Sequence, residues 1–212
     1  DAIGKTVEGY DEDASPITSA GISVKLSALH PRYFVSQADK ALPLLIERLT
    51  ELALQCKSYN IGLTVDAEEA HRLDISLQIL EAVRLDPRLN GWHGFGLAVQ
   101  AYQKRAWMVM DWLAELARVS GHSLMVRLVK GAYWDTEIKY AQERGLDDYP
   151  VFTRKSGTDV SFLACAQKLL DNRDLFYPQF ATHNAHTVAS IMVMAGNKQD
   201  GFEFQRLPGM GE

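Results

Sequence analysis

Leu124-Met125-Val126-Arg127-Leu128-Val129-Lys130-Gly131-Ala132-Tyr133-Trp134-Asp135 joins an apolar, β-branched run to an amphipathic one through a glycine. A short apolar run of this kind predicts a strand buried on both faces, as in a parallel sheet. Helical periodicity over residues 135–144 makes the pair a βα unit. Arg127 and Lys130 interrupt the apolar run towards its C-terminal end, where parallel α/β folds keep their chemistry.

The same alternation recurs on both sides of this stretch. Upstream, strand-like residues 21–27, 62–66 and 94–100 precede helical residues 38–59, 75–83 and 106–119. Downstream, a weaker strand at 151–154 precedes a helix at 159–170. A strand at 175–182 precedes a helix at 185–195, and a last strand spans 201–207. The first strand leads into Ser27-Ala28-Leu29-His30-Pro31 without a glycine-rich phosphate turn, which argues against a doubly wound dinucleotide fold. Seven βα-type strands predict an α/β chain of the (β/α)₈, TIM-like barrel type, with the closing βα unit missing from these residues. An open barrel leaves two strand edges unpaired, so that unit is expected elsewhere. Residues 1–20, with Asp11, Glu12, Asp13, Ser15 and Pro16, are expected to be a lead-in, and residues 21–212 the barrel domain.

Composition narrows the function. The 212 residues are 47% hydrophobic and 23% charged, with a net charge of −5, a balance that suits one globular core and opposes non-specific nucleic-acid binding. No apolar run approaches the roughly 20 residues of a membrane span, and no leader pattern opens the sequence, so a cytoplasmic location is expected. The two cysteines, Cys56 and Cys165, lie far apart in apolar helical runs and read as buried thiols in a reducing compartment.

Each predicted strand end carries a polar group: Lys25; Asp66, Glu68 and Glu69; Gln100; Arg127 and Lys130; Arg154 and Lys155; Thr182, His183 and Asn184; Gln205. The cations Lys25, Arg127, Arg154 and Lys155 suit anions such as a pyrophosphate and a carboxylate. The amides and hydroxyls of Gln100, Thr182, Asn184 and Gln205 suit the mixed donor–acceptor edge and ribityl chain of a flavin. Tyr133 and Trp134 offer stacking surfaces. Plainer readings stand beside these. Lys25 and Asp66 can form a structural ion pair, His183 can be a core histidine, and Trp134 can be core packing. His30, His71, His93, His122 and His186 are scattered and suggest no role, and Asp147-Asp148 reads as solvated surface.

Longer motifs go further. Ser23-Val24-Lys25-Leu26-Ser27-Ala28-Leu29-His30-Pro31-Arg32-Tyr33, Asp66-Ala67-Glu68-Glu69-Ala70, the stretch from Met125 to Asp135, Phe180-Ala181-Thr182-His183-Asn184 and Phe202-Glu203-Phe204-Gln205 follow one another in order. Together they resemble the proline dehydrogenase domain of the bifunctional proline-utilisation A flavoproteins, over nearly the whole chain from Gly21 onward. The resemblance implies FAD-dependent oxidation of L-proline to Δ¹-pyrroline-5-carboxylate, with hydride passing to flavin N5 and electrons to a quinone. It implies that Arg127 lies near N5, and that Gln100, Lys130, Gly131, Ala132, Trp134, Arg154, Lys155, Thr182, His183, Asn184, Gln205 and Leu207 line the FAD. Lys25 would bind the proline carboxylate, Asp66 would shape the pocket, and Tyr133 and Leu207 would pack on the proline ring. The implied partners are the rest of a parent polypeptide with an aldehyde dehydrogenase module, and the inner face of the cell membrane through peripheral contact. No nucleic acid is implied through this domain, and no metal.

Two departures from the family pattern stand out. Pro208 occupies a position where the family has histidine, and no adjacent arginine pair for the substrate carboxylate occurs in the sequence, so the chain alone is expected to be inactive. From the residues alone, a Schiff-base aldolase using Lys25 or Lys130 and a non-catalytic ligand-binding barrel remain as alternatives. A metal site at Asp66, Glu68 and His183 is disfavoured by the surrounding cations.

Overall fold

The computed structural model describes residues 15–210. Most of the expected lead-in therefore lies outside the described residues. The chain forms two compact units. The first holds the described residues through Leu97 together with Leu116–Met125; the second holds Ala98–Glu115 and the residues from Val126 onward.

In the first unit, β1 (Gly21–Val24) leads through a single helical turn, Leu26–Leu29, and a 3₁₀ turn at Val35–Gln37 into α1 (Ala38–Ser58). Ala41, Leu45, Leu49, Ala53 and Cys56 form the buried stripe of α1, at spacings of four and three residues that keep one helix face inward. β2 (Gly62–Val65) follows, then α2 (Leu73–Arg84), which buries Ile75, Ile79, Leu80 and Val83. β1 and β2 pair in parallel, with Gly21 opposite Gly62 and Val24 opposite Val65. β2 is wholly buried. It pairs in parallel with the first half of β3 (Phe95–Gln100), Val65 standing opposite Leu97.

The second unit takes up the end of β3 and most of α3 (Ala106–Ser120). It continues with the end of β4 (Leu124–Val129), α4 (Trp134–Glu143), α5 (Lys155–Asp171), β5 (Phe176–Ala181), α6 (Ala185–Ala195) and β6 (Glu203–Gln205). β5 and β6 pair in parallel, Ala181 opposite Gln205. β1, β2 and the start of β3 thus lie side by side in chain order in the first unit, as β5 and β6 do in the second. Strand, helix and parallel strand in succession make an α/β fold.

Six strands are present among the described residues, where the sequence pattern predicts seven. Residues 151–154 do not form a strand. Val151 makes one antiparallel bridge to Gln103, and Arg154 already caps α5. Pro150 cannot donate to a ladder, and the three residues from Val151 to Thr153 are too few for a strand before the helix begins. α4 and α5 are thus consecutive helices. The first strand is also shorter than predicted, because the chain turns helical at Leu26. Lys25 consequently stands exposed after β1 rather than inside it.

Both cysteines are buried free thiols, and burial pushes the Cys56 thiol up to about 11. No helix among the described residues is long and apolar enough to cross a membrane.

Candidate active site

In the first unit, register brings Lys25 and Asp66 to neighbouring strand ends. The Asp66 amide donates to the Val24 carbonyl at 2.8 Å, continuing the β1–β2 ladder one residue past the end of β2. Glu68 lies two residues on. One of its oxygens accepts the Ser27 amide at 3.1 Å and the other pairs with Arg72 at 3.2 Å. Burial, and then the Glu68 carboxylate, push the Tyr33 hydroxyl well above the usual tyrosine range.

In the second unit, Arg127 projects from the half-buried part of β4, and its Nε donates to Gln205 Oε1 at 2.7 Å. The other end of that amide donates to Glu203 at 2.6 Å, and Gln179 donates to the same Glu203 oxygen at 3.0 Å. Gln205 therefore has its oxygen turned to a cation and its nitrogen to a carboxylate, a polarity that its surroundings impose. Lys130 Nζ lies 2.5 Å from one Asp159 oxygen, and Lys155 Nζ lies 2.7 Å from the other. The two ammonium groups hold that carboxyl below the usual carboxylate range, Lys130 more strongly.

Gln100 Oε1 accepts the Ala132 amide at 3.1 Å, fixing the loop that leaves β4. Gly131 opens that loop with φ at +140°, a conformation that side chains rarely adopt. A Cβ at Gly131 would stand 2.4–2.6 Å from ring carbons of the buried Tyr102, so only glycine fits. Gly131 and Ala132 themselves are exposed. Trp134 is also exposed, with its indole nitrogen donating to the Phe152 carbonyl at 2.9 Å. That bond ties the ring to the segment leading into Arg154 and Lys155, which is not the core-packing reading.

At the end of β5 the chain folds back on itself. The Asn184 amide donates to Thr182 Oγ1 at 3.1 Å, and Asn184 Oδ1 caps α6 by accepting the Thr187 amide at 2.9 Å. His183 is exposed, and its Nε2 accepts the Leu207 amide at 3.4 Å, joining the ends of β5 and β6. A histidine used in this way is not a core histidine. No group of three or more His, Cys, Asp or Glu side chains placed to hold a metal ion occurs among the described residues.

Within the second unit, the structure thus brings Arg127 to Gln205, Lys130 to Lys155, Gln100 to Ala132, and His183 to Leu207. In the first it brings Lys25 beside Asp66. Sequence reasoning missed Asp159, Glu203 and Arg72, the partners that hold these groups in place. Each has a local signature. Asp159 is four residues from Lys155 on one helix face, Glu203 is two residues from Gln205 on one strand face, and Arg72 is four residues from Glu68.

Parallel strands ending in cations and amides define an α/β domain of the enzyme kind. Residues 1–212 match the proline dehydrogenase family model, and the chain belongs to that family. It is 56% identical to the bifunctional protein PutA of Salmonella typhimurium and 55% identical to that of Escherichia coli, each over 100% of this chain. It spans only 16% of the length of those relatives. Proline dehydrogenase 2 of Bacillus subtilis is 29% identical over 81% of this chain, which covers 50% of that protein. Among solved structures, proline utilization A of Bradyrhizobium japonicum superposes with a TM-score of 0.94 at 56% identity, over 99% of this chain and 21% of that one.

Proposed function

We propose that this chain is the larger part of a (β/α)₈ barrel domain, residues 21–212, that oxidises L-proline to Δ¹-pyrroline-5-carboxylate within a longer bifunctional protein. The observation that carries the reading is the Arg127–Gln205–Glu203 chain at the strand ends of a proline dehydrogenase family member. Family membership implies a redox cofactor, and the donor set suits FAD. Lys130 and Lys155 are ammonium groups held together by one carboxylate, a pairing suited to a pyrophosphate. The exposed backbone at Gly131 and Ala132, the amides of Gln100 and Gln205, and Trp134, Arg154, Thr182, His183, Asn184 and Leu207 complete the residues that would hold it. Bound flavin supplies a hydride acceptor whose electrons pass on to a quinone.

The chain's own residues then have distinct tasks. Gln205 aims Arg127, whose fixed positive charge favours the more negative, reduced form of a neighbouring redox group. Lys25 binds the substrate carboxylate, and Asp66, one strand over, shapes the pocket around the ring. Tyr133 and Leu207 supply apolar surface that excludes water from the ring. A second module with aldehyde dehydrogenase activity, cytoplasmic location and peripheral membrane contact belong to the parent protein in this reading. The visible spectrum of the parent before and after L-proline tests it. A flavin spectrum that bleaches on adding proline is expected, and a colourless protein or an unchanged spectrum overturns the reading.

A further inference from the structure

Lys25 sits at a poorly supported place in the chain. It precedes a helical turn of only four residues, Leu26–Leu29, and its side chain makes no cap for that turn. So short a helix has few internal bonds and leaves its leading N–H groups without helical partners. Yet the turn is fastened from outside. Glu68 Oε2 accepts the Ser27 amide at 3.1 Å, two residues after Lys25. On the other side of Lys25, the Val24 carbonyl accepts the Asp66 amide at 2.8 Å. Lys25 is therefore flanked by two bonds, both to the loop that follows β2.

Glu68 is itself held. Its second oxygen pairs with Arg72 at 3.2 Å, and Arg72 also reaches Glu69 at 3.3 Å. The Arg72 guanidinium lies 5.1 Å from the Tyr33 ring centre and 5.5 Å from that of Phe34, two residues on the chain that leaves the Lys25 turn. The Tyr33 hydroxyl donates to the Arg72 carbonyl at 3.4 Å. The Glu68 and Arg72 side chains are only 8% and 14% exposed, so solvent screens this pair far less than a surface pair.

We infer that Glu68 and Arg72 are positioning residues, a clamp that sets the Lys25 turn against Asp66 and thereby determines affinity for the substrate carboxylate. The inference rests on the proline-oxidising reading above. Neither residue needs to touch the substrate. The long, exposed Lys25 side chain loses less freedom on binding when its backbone is already fixed at both neighbours.

The test uses the parent protein, with dye reduction by L-proline and hydrogen exchange at the Ser27 amide as readouts. Glu68→Gln keeps an acceptor for Ser27 but removes the charge facing Arg72, whereas Glu68→Ala removes both. Glu68→Ala is expected to raise KM for proline about tenfold, the scale of one lost charge-assisted hydrogen bond, with kcat within twofold and Ser27 protection lost. Glu68→Gln should give a smaller rise with protection retained, and Arg72→Lys should stay closer to the parent than Arg72→Met. A proline-active parent whose Glu68→Gln and Glu68→Ala variants both keep KM within twofold overturns the clamp alone. A fall in kcat at unchanged KM also overturns it. A parent that reduces no dye with proline overturns the functional reading and the clamp's role in affinity together.

Discussion

Replacing Gly131 by alanine tests the loop that opens the candidate flavin site. Two separate costs arise there. Gly131 holds φ at +140°, where an L side chain costs about 1–3 kcal/mol. The new methyl group also meets ring carbons of Tyr102 at 2.4–2.6 Å, well inside the ordinary contact distance of 3.4–4 Å. Tyr102 is 2% exposed and cannot swing away, so the overlap forces repacking at about 1–3 kcal/mol more. A total near 4 kcal/mol lowers Tm by about 8–16 °C for a domain of this size. The loop would shift with it, breaking the 3.1 Å bond from Ala132 to Gln100 and releasing flavin. Differential scanning calorimetry of the parent, with flavin content measured on the purified protein, reads both effects. Combining Gly131→Ala with Tyr102→Leu should recover the overlap component and leave the φ component, so the double variant should be more stable than the sum of the single effects. A Tm within 2 °C of the parent and full flavin content in Gly131→Ala would show that the loop accepts a side chain beside Tyr102 after all.

Arg127→Met is expected to lower kcat and shift the flavin potential downward, because the positive charge aimed by Gln205 is lost; unchanged turnover and potential would remove Arg127 from the mechanism. Asp159 should titrate below the ordinary 3.8, so its ion pairs contribute stability that is complete above that value and lost as pH falls through the lower folded value. Carboxyl NMR should show Lys130→Met raising that pKa more than Lys155→Met does; the reverse order would contradict the stronger Lys130 bond. Arg84 is fully buried, and its Nε and Nη2 have no hydrogen-bond partner among the described residues, although Nη1 donates to the Trp92 carbonyl at 3.2 Å. Arg84→Met should therefore stabilise the domain by about 1–2 kcal/mol, and a lowered Tm would show that the guanidinium has a partner that matters. Burial, then His122 and Arg84, depress His93, which favours its neutral form in the fold. Stability linked to His93 is thus present above pH 6.5 and lost as pH falls towards the depressed value, and Arg84→Met should move that value back up in an imidazole NMR titration.

The βα rhythm, the chain positions of six strands and the polar residues at their ends are legible in the periodicity of the sequence. That is possible because a strand buried on both faces admits few polar residues, so Arg127 and Lys130 stand out within Leu124–Val129. The helix at Ala185–Ala195 matches its predicted limits, and in the structure the Asn184 side chain caps its start. Tertiary structure alone decided the rest. Residues 151–154 carry strand-like side chains, but Pro150 and the early start of Lys155–Asp171 leave room only for a bridge. Lys25 looks buried in one dimension and is exposed in three, because the chain turns helical one residue later. The partners that site residues find far along the chain were also invisible in advance, unlike Asp159, Glu203 and Arg72, which lie two to four residues from the groups they hold. Gln205 meets Arg127 across 78 residues and Ser27 meets Glu68 across 41. Hydrogen bonds between distant residues depend on which strands lie side by side, and periodicity along one strand does not contain that information.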